Sequence, residues 1–133
     1  MQPGTHEQID HSLCGRPLSV GAGHAEVELV ASDRMRVDAS GLVHGGFVFG
    51  AADHAAMLAI GAPTVVLGSA DVRFLAPVKV GERVLASARL DRVDGKKHMV
   101  EVIARTDARE VLRGVLTCFV PARHVLEADD ARR

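Results

Sequence analysis

Between Gly41 and Gly61 the chain reads Gly-Leu-Val-His-Gly-Gly-Phe-Val-Phe-Gly-Ala-Ala-Asp-His-Ala-Ala-Met-Leu-Ala-Ile-Gly, and from Phe47 to Ile60 only Asp53 and His54 can ionise. A helix this apolar on every side has no face to offer to water, so it must be buried and the other elements must cover it. Gly61 can take the left-handed position that closes a helix and Pro63 prevents continuation, which sets the helix end at about Ile60. Asp53 therefore falls in the middle of a buried helix. An ionised carboxylate there costs on the order of several kcal/mol unless it is partnered, so it needs a structural partner or a chemical role.

The flanking sequence supplies the cover. Residues 1–20 show little periodicity and read as an N-terminal arm with at most one short helical turn. His24 to Val30 alternates, with Ala25, Val27 and Leu29 on one side and Glu26 and Glu28 on the other, which predicts a strand with one wet face. Ser32 to Gly41 is a polar connection into the helix. Past Pro63 the chain reads as sheet: Thr64 to Leu75, Arg83 to Val93, His98 to Thr106 and Val111 to Val120. Asp94-Gly95 is a hairpin signal between the second and third of these, and Asp107 to Glu110 turns the third into the fourth. Residues 121–133 form a charged tail, frayed or a short surface helix. One buried helix and about five to six strands predict an α+β fold, an antiparallel sheet wrapped round a central helix, in a single domain spanning residues 1–133. Such a single layer leaves edge strands that a second copy can satisfy by pairing, so a homodimer is expected.

Composition narrows the functions open to such a fold. Four Phe with no Trp and no Tyr leave little for base stacking, and sixteen Lys and Arg against seventeen Asp and Glu give no basic stripe, so nucleic acid is not expected as a partner. The apolar stretch around Phe47 is too short, and too interrupted by Asp53, for a membrane span, and the N-terminus lacks a basic segment followed by an apolar run; a cytoplasmic location is expected. Cys14 and Cys118 read as small apolar residues in a reducing compartment, and Cys118 lacks the acid–base partner that a thiol nucleophile needs. The histidines at positions 6, 11, 24, 98 and 124 show no ligand spacing, so no metal is expected.

The central stretch carries a chemical pattern. Gly45-Gly46 opens the helix, where side chains are absent and the first amides lack intrahelical acceptors, so these amides and the helix dipole can stabilise a carbonyl oxygen that becomes anionic. Asp53 lies seven residues after Gly46, on the same face and about 10 Å further along the axis. Two groups acting on one carbonyl must each lie roughly 3 Å from it, so one helix cannot supply both to one substrate. If they cooperate, Asp53 comes from a second copy. Burial raises its pKa toward the working range of a general base. His54 points about 100° away and is expected as a core or interface residue.

Asp38-x-x-Gly41-x-x-His44-Gly45-Gly46 followed by Asp53, together with Ala70 to Glu82, resembles the hotdog-fold acyl-CoA thioesterases of the phenylacetate-pathway (PaaI-like) type, over about Gly23 to Val120. The resemblance implies that the Gly46 amide donates to the thioester oxygen, that His44 sets the loop and contacts substrate, and that the other subunit's Asp53 attacks the thioester or activates water. It implies further that Gly45, Asp38, Leu67 and Ser69 border the substrate, that coenzyme A enters as part of the acyl-CoA substrate with no separate cofactor, and that the subunits form a homodimer or a homotetramer of paired dimers. Two positions depart from the family pattern: Asp38 stands where Asn is common, which leaves only acceptors, and the position of a helping hydroxyl is Leu67, with Ser69 nearby. The acyl group is expected to be small or medium, and Phe47, Phe49, Met57 and Phe74 suit an aryl group or an aliphatic chain. The competing expectation is a non-catalytic acyl-CoA binder or sensor. A related repressor domain of the same fold has Asn at the position of Asp53.

Overall fold

The long apolar stretch is a helix at the centre of the molecule. In the structure, a computed structural model that describes residues 3–130, the elements run α1 (His11–Cys14), β1 (Arg16–Gly21), β2 (His24–Val30), a 3-10 turn (Asp33–Met35), α2 (Gly45–Ile60), β3 (Val66–Phe74), β4 (Arg83–Asp94), β5 (Lys97–Arg105), β6 (Glu110–Phe119) and α3 (Val125–Asp130). The strands form one antiparallel sheet in the order β1-β2-β4-β5-β6-β3. The α+β expectation holds. Gly61 ends α2 with φ 72° and ψ 6°, its N–H donating to the Met57 carbonyl, as the glycine and following proline imply.

The fit of helix to sheet follows from side-chain size. Ala51, Ala52, Ala55, Ala56 and Ala59 of α2 are all buried, and the sheet answers with Ala25, Val27 and Leu29 on β2, Val84, Ala86 and Ala88 on β4, and Val100, Val102 and Ala104 on β5. Small residues on both surfaces let the backbones approach closely without voids. Helix α2 packs chiefly on β2, β4 and β5 and only lightly on β6 and β3. The inner face of β3, formed by Leu67, Ala70, Val72 and Phe74, is therefore partly open, and Phe74 is 57% exposed. Strand β3 is also a sheet edge.

Three local features differ from the sequence reading or complete it. The N-terminal arm contains the expected helical turn, α1, but Arg16–Gly21 adds a strand that pairs with β2 at the far edge of the sheet. Pro17 lies in it, which an edge strand tolerates. The β4–β5 hairpin closes with Asp94 opposite Lys97, so its two central residues are Gly95 and Lys96; Gly95 has φ 62° and Lys96 is not in the left-handed region. That places the glycine first in the turn, the arrangement of a type II′ turn. In the tail, Val125–Asp130 is the short helix that was one of two expectations, and residues 131–133 of that tail lie outside the described residues.

Candidate active site

The polar connection before α2 is held by its own backbone. Arg36 bridges Val43 and Leu42 bridges Lys79, and the His44 N–H donates to the Met35 carbonyl, which fixes His44 as the N-cap of the helix. Its ring folds back over the helix end, and Nδ1 accepts a hydrogen bond from the Gly46 N–H at 2.8 Å. An accepting Nδ1 places the ring proton on Nε2.

This cap bears on the Gly46 position. A Cβ on Gly46 would lie 2.8 Å from the His44 Nδ1, so a side chain there would displace the capping ring. In this arrangement the Gly46 amide donates to that ring. Of these two amides, that of Gly45 has no acceptor among the described residues. The Gly45 position borders an open cleft of about 360 Å³ whose other walls are Val43, Val48, Phe74, Leu75, Ala76, Pro77, Val78 and Val111. A Cβ on Gly45 would approach the Phe74 ring to 3.3 Å. A dipole end with a free N–H thus borders a cleft whose walls are apolar residues.

Two turns further on, Asp53 is half-buried, and its Oδ1 is buried with no hydrogen-bond partner. Burial pushes its pKa from the usual carboxylate value up to about 6. No salt bridge among the described residues includes it. The structural partner that a buried carboxylate would need is not supplied by the described part of this chain. Gly45 and Asp53 are eight residues apart, about 12 Å along the axis, so they do not converge on one atom.

The remaining candidate residues divide. Leu67 lies on the inner face of β3, opposite buried Cys118 of β6. Ser69 is turned to the outer face, because a bulge at Gly68 shifts the register between Leu67 and Ser69 and pairs Ser69 with Thr117. It is not brought toward Asp53. Asp38 is exposed, and its Oδ1 accepts from the Ser40 amide at 3.0 Å, the Ser40 hydroxyl at 2.6 Å and the Leu42 amide at 3.4 Å. The Ser40 hydroxyl and these amides hold its carboxyl below the usual range. Asp38 therefore shapes the loop leading to His44 and makes no hydrogen bond to Gly45.

His54 is buried, as expected for a core position: its Nδ1 lies 3.1 Å from the Cys14 carbonyl and its ring stacks on His11 at 6.2 Å. Burial lowers its pKa, with His6 and His11 adding to the effect against the Cys14 carbonyl. Cys118 is a free thiol pushed up to about 12 by burial and then by the charge of Asp53, which makes it inert as a nucleophile. Among the described residues no three His, Cys, Asp or Glu side chains gather as metal ligands, and no helix is long and apolar enough to cross a membrane. Leu75, Ala76 and Val78 also wall the cleft, and the only signal for them in the sequence is Pro77, which interrupts the strand pattern beside them.

Comparison with known proteins matches residues 40–112, more than half of the chain, to the model of the thioesterase superfamily. A crystal structure of an uncharacterized protein from Pyrococcus horikoshii superposes with a TM-score of 0.93 at 49% identity, covering 95% of this chain and 97% of that one. A mutant of the phenylacetic acid degradation protein PaaI from Thermus thermophilus superposes with a TM-score of 0.75 at 26% identity, covering 84% of this chain and 96% of that one. Among curated proteins, the methylthioribose-1-phosphate isomerase of Aquifex aeolicus is 50% identical over 98 residues, 74% of this chain. The matched part is only 22% of that isomerase, so the chain spans about a fifth of its length.

Proposed function

Because this chain belongs to the thioesterase superfamily, as a hotdog-fold protein of the PaaI-like kind, we propose that it hydrolyses small or medium acyl-CoA thioesters to the free acid and coenzyme A. The observation that carries the reading is Asp53: a carboxylate with a buried, unpartnered oxygen and a pKa raised to about 6 has the properties of a base or nucleophile that is ionised at neutral pH. The unpartnered Gly45 amide supports it as the oxyanion donor, in place of the Gly46 amide that His44 occupies.

The site is completed by a second copy. With about 12 Å between Gly45 and Asp53 on one helix, the thioester carbonyl lies at one copy's Gly45 and within reach of the other's Asp53. The half-open apolar inner face of edge strand β3 is the surface on which the copies meet. In the base mode, Asp53 takes a proton from water, and the water oxygen bonds to the thioester carbon as the carbonyl oxygen becomes an oxyanion at the Gly45 N–H. Collapse of that intermediate breaks the carbon–sulfur bond, and the departing thiolate takes up the proton. In the nucleophilic mode the Asp53 oxygen bonds to the carbon first, the carbon–sulfur bond breaks to release the thiolate, and water hydrolyses the resulting anhydride, which restores the Asp53 carboxylate, frees the acid and supplies the proton that the thiolate takes up. Both modes need the ionised carboxylate.

The test is thiol release from a panel of acyl-CoA thioesters by wild type and Asp53→Asn. Turnover by wild type that falls at least about a thousandfold in the variant supports the reading. Tight acyl-CoA binding by wild type with no turnover across the panel identifies a sensor instead.

A further inference from the structure

Gly50 is a glycine that this chain's own packing does not require. It is not in the left-handed region, it lies in the middle of α2 where glycine is a poor helix former, and a Cβ built on it would meet no heavy atom within 4 Å. Gly45 and Gly46 differ: there the Phe74 ring at 3.3 Å and the His44 ring at 2.8 Å fill the space a side chain would take. At Gly50 no atom of the described residues does so.

Helix geometry says what is beside that space. Gly50 is three residues before Asp53, about 4.5 Å along the axis and about 60° round it. Helical side chains lean toward the N-terminus, so the Asp53 side chain is inclined toward the turn that carries Gly50 while staying more than 4 Å from a Cβ built there. Around it α2 offers the apolar Phe49, Ala51, Ala52, Ala56 and Met57, and His54, the other polar group nearby, is turned away to the Cys14 carbonyl. A hydrocarbon loses nothing in such surroundings, whereas the amide-bearing arm of coenzyme A would bury two amides without partners.

We infer that Gly50 sets the acyl specificity of the site, the carbons next to the thioester carbonyl lying across Gly50 beside the carboxylate of Asp53. The inference rests on the acyl-CoA reading above. A side chain at position 50 then stands where the acyl chain runs and penalises longer or branched acyl groups in proportion to its size.

Gly50→Ala and Gly50→Leu are assayed against straight-chain acyl-CoAs from acetyl to dodecanoyl, with sedimentation of each variant alongside. The expected result is that the ratio of kcat/KM for octanoyl-CoA to that for acetyl-CoA falls slightly in Gly50→Ala and at least about tenfold in Gly50→Leu. The melting temperature of Gly50→Ala is expected to rise by about 3 °C. An equal fractional loss for every chain length overturns the inference. So does loss of the oligomer, which makes Gly50 a contact between helices of two copies. If wild type hydrolyses none of the series, the hydrolase reading fails and the same variants are titrated with the acyl-CoAs by calorimetry. A chain-length-dependent loss of affinity there still supports the role of Gly50, and affinity unaffected by length overturns it.

Discussion

Asp53→Asn is expected to inactivate the protein and at the same time to stabilise it. Burial raises the Asp53 pKa from 3.8 to about 6, a change of about two units, and each unit corresponds to about 1.4 kcal/mol. The direction follows from linkage. An acid whose folded pKa is raised costs nothing below the unfolded value, where it is protonated in both states, and its penalty grows as pH rises from about 4 to about 6, then stays constant. The full penalty above pH 6 is therefore about 3 kcal/mol. Asn keeps the shape without the charge but still carries an amide in need of partners, so the net gain at pH 7.5 is about 1 to 3 kcal/mol. Urea unfolding of both proteins at equal concentration, at pH 4 and pH 7.5, measures it. The gain should appear at pH 7.5 and vanish near pH 4. A gain of equal size at both pH values would refute the argument, because it would not come from ionisation. The same ionisation should appear in catalysis as a kcat/KM that rises with pH through an apparent pKa near 6.

Two further outcomes follow from the same geometry. Gly46→Ala brings a Cβ to 2.8 Å from the His44 Nδ1 and displaces the cap, so it should lower stability by about 1 kcal/mol in the wild type and by little in a His44→Ala background, a coupling that a double-mutant cycle reads directly. Cys118, buried with its thiol pushed up to about 12, should resist iodoacetamide at pH 8 in the folded protein and react on unfolding; rapid alkylation of the native protein would contradict that environment.

The parts of this fold that follow a strict period are written plainly in the sequence. Ala25, Val27 and Leu29 alternate against Glu26 and Glu28, and β2 has the expected bounds. The all-apolar run with Gly61 and Pro63 behind it defines α2 and its end. What broke the period was hidden. Strand β1 contains Pro17 and an irregularity between Pro17 and Ser19, so no alternation marks it. At β3, Leu67 and Ser69 stand two apart and a regular strand would put them on one face, but the Gly68 bulge sets them on opposite faces. The choice between the Gly45 and Gly46 amides was hidden for another reason: it depends on which way the His44 ring folds, a torsion that residue identity does not dictate. Asp53 was legible because a charge in an apolar helix is costly wherever the helix goes.

The proposal that Gly45 at the start of α2 and Asp53 in its middle serve different sites leads to a quantitative test with two variants that are each expected to be inactive. Gly45→Pro removes the free N–H while respecting the helix, since proline is accepted at the first helical position and the preceding His44 already has φ −61° and ψ 127°, the extended conformation that proline requires of its neighbour. Asp53→Asn removes the carboxylate. Each homodimer lacks one half of both its sites. In a heterodimer, one site combines the intact Gly45 amide of the Asp53→Asn chain with the intact Asp53 of the Gly45→Pro chain, and the other site has neither. If the variants are unfolded together and refolded at equal concentration, random pairing puts half of the molecules in heterodimers with one working site of two, so about one quarter of wild-type activity should return. If Gly45 and Asp53 of the same chain act together, every site in the mixture is defective and the activity stays at the sum of the two inactive parents. The recovered fraction thus decides between one helix serving one site and two helices sharing two.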